Sequence, residues 1–142
     1  MAGRYGITFA AELIEQGEYE DALAAATKAI EAGDRGPEPF ADRGRALDFL
    51  ERYAEAAIAL QRAIELNRTD RCLDADVLDD AFFSALVGAA QHESGTSVAE
   101  GVRHLEHYAS VVPKGRHLRD AEDWQKRIRG EMPSLLDKTT ET

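Results

Sequence analysis

Very little in this chain points to cross-links, metal centres or membrane insertion. A single cysteine, Cys72, in 142 residues excludes an internal disulfide framework and any metal site built from several thiolates. Basic residues are in deficit, 17 Lys and Arg against 27 Asp and Glu, and the formal charge of −10 argues against a binder of nucleic-acid phosphates or of an anionic membrane surface. Long apolar runs are missing as well. The segment ITFAAELI is broken by Glu12 and has no basic lead or small-residue cleavage site, so neither a signal peptide nor a membrane span is expected, and a cytoplasmic location is the default. There is no convincing period-2 strand. Nothing resembles a phosphate-cradling glycine loop, a nucleophile elbow or a zinc-helix motif, so the expectation is a protein that is not an enzyme and carries no cofactor.

Helical periodicity and an internal repeat fill the space these absences leave. In GEYEDALAAATKAIEAG the inward stripe is Tyr19, Ala22, Ala26, Ala29 and Ile30, light for a core helix. In ERYAEAAIALQRAIELN the residues Tyr53, Ala56, Ala63, Ile64 and Glu65 repeat Tyr19, Ala22, Ala29, Ile30 and Glu31 at one interval, 53 − 19 = 34. A fixed interval of this size is the signature of stacked repeats.

The periodicity predicts a first helix near Tyr5 to Gln16, with Phe9, Leu13 and Gln16 or Ile14 inward, and a second up to Ala32, ended by Gly33. A third helix is expected from about Glu38 to Leu50 with Phe40, Gly44, Leu47 and Leu50 inward. The fourth runs to Leu66, with NRTD closing the unit, and the fifth is extended at its start within RCLDADVLDDAFFSALVGAAQHE. Ser97 to Glu100 spells a reciprocal capping box. The helix that follows carries Val98, Gly101, Val102, Leu105, Tyr108 and Ala109 on one side and stops before Pro113. A last helix, about Leu118 to Arg129, has the stripe Leu118, Ala121, Trp124 and Ile128.

On these residues the chain resembles the tetratricopeptide repeat family. Phe40, Gly44, Leu47, Tyr53, Ala56, Leu60 and Ala63 match its pattern of large and small positions, as do Phe9, Ala10, Leu13, Gly17, Tyr19, Ala22 and Ala29. A third, degenerate copy has Gly101 in the small slot, Tyr108 where the family prefers alanine, and Pro113 as terminator. The resemblance implies an all-α superhelix of antiparallel helix hairpins forming a single domain over 1–132, with repeats at about 4–36, 37–70 and 74–113 and a capping helix at about 116–130; 133–142 is expected to be a flexible tail. The alanines fit such packing, because helices approach to the near end of about 8–10 Å only where contact side chains are small.

Such arrays bind partners along the concave face lined by the first helix of each hairpin. That implies an adaptor holding a peptide or helix of another protein, with Ala41, Arg45, Asp48 and Phe49 of the third helix and Ile7, Ala11 and Ile14 of the first as the binding face. The family's carboxylate clamp is not expected, since its slots hold Ile7, Ala11, Asp42 and either Ala81 and Ala85 or Phe83 and Val87. The chain is also similar to small acidic three-repeat chaperones of bacterial secretion systems, which hold client segments in the same face. His104 and His107 have metal-compatible spacing but no adjacent third strong ligand. Asp74, Asp76, Asp79 and Asp80 lack the glycine and closing glutamate of a calcium loop and suit a helix N-terminus. Cys72 has no base nearby in sequence and is expected to be inert. Trp124 either caps the end of the array or, with the basic Lys126 to Arg129 beside it, forms a homodimer contact.

Overall fold

The computed structural model describes residues 8–131. Seven helices follow one another: α1 Phe9–Glu15, α2 Tyr19–Glu31, α3 Glu38–Phe49, α4 Tyr53–Asp70, α5 Ala75–Ser94, α6 Val98–Val111 and α7 Leu118–Ile128. The fold is all-α, with no strand among the described residues. Each helix packs on the next, and α1 also touches α3, α3 touches α5, and α5 touches α7. Three-residue connections join α1 to α2, α3 to α4 and α5 to α6. A connection that short between helices packed along their length makes each pair a hairpin. The expected beginning of α1 near Tyr5 is corrected: the helix starts at Phe9, with Thr8 as an extended N-cap accepting from the Ala11 amide; Tyr5, Ile7 and 133–142 lie outside the described residues.

The light stripe of α2 has its partner in the neighbouring helices. Ala22 and Ala26 are buried, and Ala22 packs with Ile14 of α1 and Ala46 of α3. In the next hairpin the approach is closer still. A β-carbon on Gly44 would fall 2.5 Å from Leu60 Cγ and 3.2 Å from the Ala56 carbonyl oxygen, so α3 meets α4 through bare backbone. Ala56, Leu60, Ala63 and Leu47 complete that seam and none of them is exposed. Tyr19 and Tyr53 hold matching places: each is the first residue of its helix, and each lays its ring on the first helix of the following hairpin. Tyr19 stacks on Phe49 of α3 at 4.5 Å, and Tyr53 covers Gly88 of α5 so tightly that no side chain fits there.

The third unit departs from the interval. From α2 to α4 the openings are 34 residues apart, Tyr19 to Tyr53, but from α4 to α6 they are 45 apart, Tyr53 to Val98. The surplus of about three helical turns sits in the last turn of α4 and the first two turns of α5. The expected stop at Leu66 is therefore corrected: α4 continues through Asn67–Asp70. Asn67 is buried, donating to the Leu73 carbonyl at 3.0 Å and accepting from the Leu73 amide at 2.9 Å, and Arg71 ends the helix at φ 53°. The extended start expected for α5 is present, with Asp74 as N-cap accepting from the amides of Asp76 and Val77.

Other expectations of facing are revised. Phe9 is 64% exposed, and the inward residues of α1 are Ala10 and Ile14, one position on. Val98 and Ala109 of α6 face solvent, while Gly101, Val102, Leu105 and Tyr108 are inward. The capping box is half present. Ser97 accepts from the Glu100 amide at 3.2 Å, but the Ser97 amide donates to the Glu93 carbonyl, and the Glu100 side chain pairs with Arg103. Pro113 lies exposed just beyond the end of α6.

Candidate functional site

The residues read from sequence as a binding face divide into three groups. Ile14 and Ala41 are buried at 5% exposure each, so they belong to the core and offer nothing to a partner. Ala11, Arg45 and Asp48 are half-buried, and Phe49 is exposed but stacked on Tyr19. The polar groups on this side are already matched within the chain. Thr8 donates to Asp42 at 2.6 Å, Arg45 lies 3.8 Å from the same carboxylate, and Ser84 of α5 donates to Asp48 at 3.4 Å. Burial pushes Asp42 above its ordinary 3.8, against the pull of the Thr8 hydroxyl and Arg45. Asp48 is likewise raised by burial, with Ser84 offsetting part of it. These carboxylates favour the fold most below pH 3.8, and that contribution is lost as pH rises through their folded values. They act as internal braces between hairpins.

The opposite side is different. The first helices of the hairpins touch one another directly, whereas α2 and α4 splay apart and leave a groove of about 660 Å³ between them. Ile30 of α2, Phe40 of α3, and Ile58 and Ala59 of α4 supply its apolar surface. Ile30, read from sequence as core, thus stands in a groove wall. Ile58 is 71% exposed. Charged groups stand at the rim: Glu31, Arg43, Glu55 and Arg62. Three of them are satisfied internally. Arg43 donates to the Thr27 hydroxyl, Glu55 takes the guanidinium of Arg52 at 2.8 Å, and Arg62 lies 3.7 Å from Glu65. Glu31 has no hydrogen bond or ion pair among the described residues.

The corresponding space between α4 and α6 is closed. Gln61 and His107 join across it at 2.7 Å, and Arg68 donates to the Val111 carbonyl. This also settles the place of the α6 histidines. His107 bonds Gln61 and His104 lies 3.3 Å from Glu93, so the two do not converge on one point.

A different cluster brings three potential ligands together, Glu38, Asp70 and Cys72, within 4.8 Å of one another. The Cys72 thiol donates to Glu38 Oε1 at 3.3 Å, and burial together with that carboxylate pushes its pKa up to about 11. A thiol held protonated is a poor metal ligand and a poor nucleophile. Sequence reading missed the contact because Glu38 and Cys72 are 34 residues apart and meet only between hairpins.

The acidic start of α5 does more than cap a helix. Asp79 is buried, accepting from the Tyr108 hydroxyl and from the Arg116 amide at 3.0 Å. Asp76 and Asp80 pair with Arg116 at 3.6 and 3.5 Å, and Asp80 meets His117 at 2.6 Å. So part of the basic stretch from Lys114 lies against acidic α5. The helix that follows, α7, packs on α6 and α5 with Ala121 buried, while Trp124 is half-buried under Arg127 at 5.3 Å.

Among the described residues, no helix is long and apolar enough to cross a membrane. Comparison with known proteins finds no matching family model, no matching curated protein and no matching solved structure.

Proposed function

We propose that this chain is a non-enzymatic protein-interaction module of tetratricopeptide type, acting in the cytoplasm, that seats a basic amphipathic helix of a partner in the groove between α2 and α4. One observation carries the reading: an uncovered apolar groove faces solvent on one side of the array, while the polar groups on the other side are consumed internally. The matching niches of Tyr19 and Tyr53 support the repeat assignment.

The shape selects the occupant. From Glu55 to Arg62 the α4 wall is two turns long, about 10 Å at 1.5 Å per residue. That suits the apolar stripe of a short helix laid between two others. The charge selects its flank. Glu31 is the rim group with no hydrogen bond or ion pair among the described residues, and the whole chain stands at −10, so a cationic flank is both steered in and matched on arrival.

The test uses the full chain and a labelled 14-residue helical peptide with a leucine stripe and lysine flanks, read by fluorescence anisotropy. Burying an isoleucine side chain contributes about 1.5–3 kcal/mol, so Ile58→Glu weakens binding roughly 10- to 100-fold. Being exposed, it leaves stability within about 0.5 kcal/mol. Arg45→Glu, on the opposite side, leaves affinity unchanged, and a peptide with glutamate flanks binds more weakly. Absence of binding, or loss in Arg45→Glu with none in Ile58→Glu, overturns the assignment of the groove.

A further inference from the structure

The N-terminal end of α7 is held by charge. His117 is the N-cap of that helix, and its ring lies flat on Phe83 of α5, 4.5 Å away with the planes 2° apart. Nε2 is 2.6 Å from Asp80 Oδ1 on α5, and Nδ1 is 3.3 Å from Asp120 Oδ2 on α7. A neutral imidazole has one N–H and one lone pair. With a carboxylate at both nitrogens, the neutral ring would turn a lone pair toward an anion, whereas the imidazolium donates to both. The backbone amide of His117 is spoken for as well, donating to the Tyr108 hydroxyl at 3.0 Å.

We propose that His117 is a pH-sensitive latch: its imidazolium ties α5 to α7, and deprotonation loosens α7 from the end of the array. The groups facing it from every packed element are known. Helix α5 contributes Asp79 and Asp80, α6 contributes Tyr108, and α7 contributes Asp120, while Arg116 of the connecting loop pairs with Asp80. Arg116 pairs with Asp76 and with Asp80, and so shares the Asp80 carboxylate with His117. Burial alone would lower the His117 pKa. The hydrogen bonds of Asp80 and Asp120, with the fields of Asp79 and Asp80, outweigh burial and raise it above 6.5. A raised folded pKa means a stabilisation fully present below pH 6.5 that is lost as pH climbs through the folded value. The latch therefore opens as pH rises above 6.5, through the raised folded value.

The chain carries its own reporter, since Trp124 on α7 is the sole tryptophan. Trp124 emission and deuterium uptake over residues 118–128 are followed from about pH 6 to 9, the range spanning a raised histidine, with far-UV circular dichroism in parallel. The expected result is one transition with its midpoint above 6.5, faster exchange in α7 at high pH, and little change in the remaining helices. His117→Gln abolishes the transition, and Asp120→Asn moves its midpoint down. A flat wild-type profile, or a transition that persists in His117→Gln, overturns the proposal. Should His117→Gln not fold, Asp120→Asn decides, and an unmoved midpoint overturns it.

Discussion

Adding one methyl group at Gly44 tests whether close helix approach holds the array together. The new β-carbon would stand 2.5 and 2.9 Å from Leu60 Cγ and Cδ2 and 3.2 Å from the Ala56 carbonyl oxygen. Carbon contacts settle at about 3.5–4.0 Å, so α3 and α4 must part by roughly 1 Å or Leu60 must leave its rotamer. Leu60 is fully buried and has no solvent to swing into. Overpacking of this kind costs about 1–3 kcal/mol, while replacing a mid-helix glycine by alanine returns about 0.5–1 kcal/mol of helix propensity. Gly44→Ala should therefore destabilise by roughly 0.5–2 kcal/mol, a fall in Tm of about 2–6 °C for a domain of this size. Gly95→Ala is the control, since its β-carbon would meet only the His92 carbonyl oxygen at 3.5 Å. It should be neutral or stabilising by up to about 1 kcal/mol. A double-mutant cycle sharpens the result. Leu60→Ala alone costs about 2–5 kcal/mol, but in the Gly44→Ala background the added methyl occupies part of the vacated space, so the two losses should sum to less than additive. Urea or thermal denaturation of the four proteins measures all of this. Gly44→Ala matching the wild type, or losses additive to within about 0.5 kcal/mol, would refute the seam.

Two further outcomes follow from the buried polar contacts. Tyr108→Phe removes the hydroxyl that donates to Asp79 and accepts from the His117 amide. The buried carboxylate keeps the Arg116 amide but loses one donor, and urea unfolding should show a loss of about 1–3 kcal/mol; no loss would mean that the bond is not formed in solution. Cys72, with its pKa pushed up to about 11 from an ordinary 9.0, should react with iodoacetamide near pH 8 about 100-fold more slowly than a free thiol of ordinary pKa. Asp70→Asn and Glu38→Gln should speed it, and a rate equal to that of glutathione would contradict the contact.

The interval from Tyr19 to Tyr53, the alanine stripe and the start signals at Asp74 and Ser97 are properties of neighbouring residues. Local sequence therefore determined that the chain is helical, paired into hairpins and tightly packed, and nearly where α2, α3, α5, α6 and α7 lie. The end of α4 escaped because Asn67 halts the chain through Leu73, and a bond from a side chain to a later loop leaves no mark in helical periodicity. The facing of α1 escaped because both Phe9 and Ala10 continue an apolar stripe in sequence, and only the packing of α1 on α2 and α3 decides that Ala10 turns inward and Phe9 outward. The candidate site belonged wholly to tertiary structure. Shifting one helix pattern onto another placed Ile14 and Ala41 in a binding face, but Ile14 packs with Ala22 and Ala46, and Ala41 belongs to the core cluster built with α4 and α5. The groove is made from residues 27–31, 40–43 and 55–62, brought together by the splay of two helices that periodicity treats as independent. His117 and Asp80 stand 37 residues apart and meet because the surplus turns at the start of α5 carry Asp76, Asp79 and Asp80 to the segment that opens α7. Periodicity reports which side of a helix turns inward; the angle between hairpins, set by how small residues nest, decides which surfaces remain open.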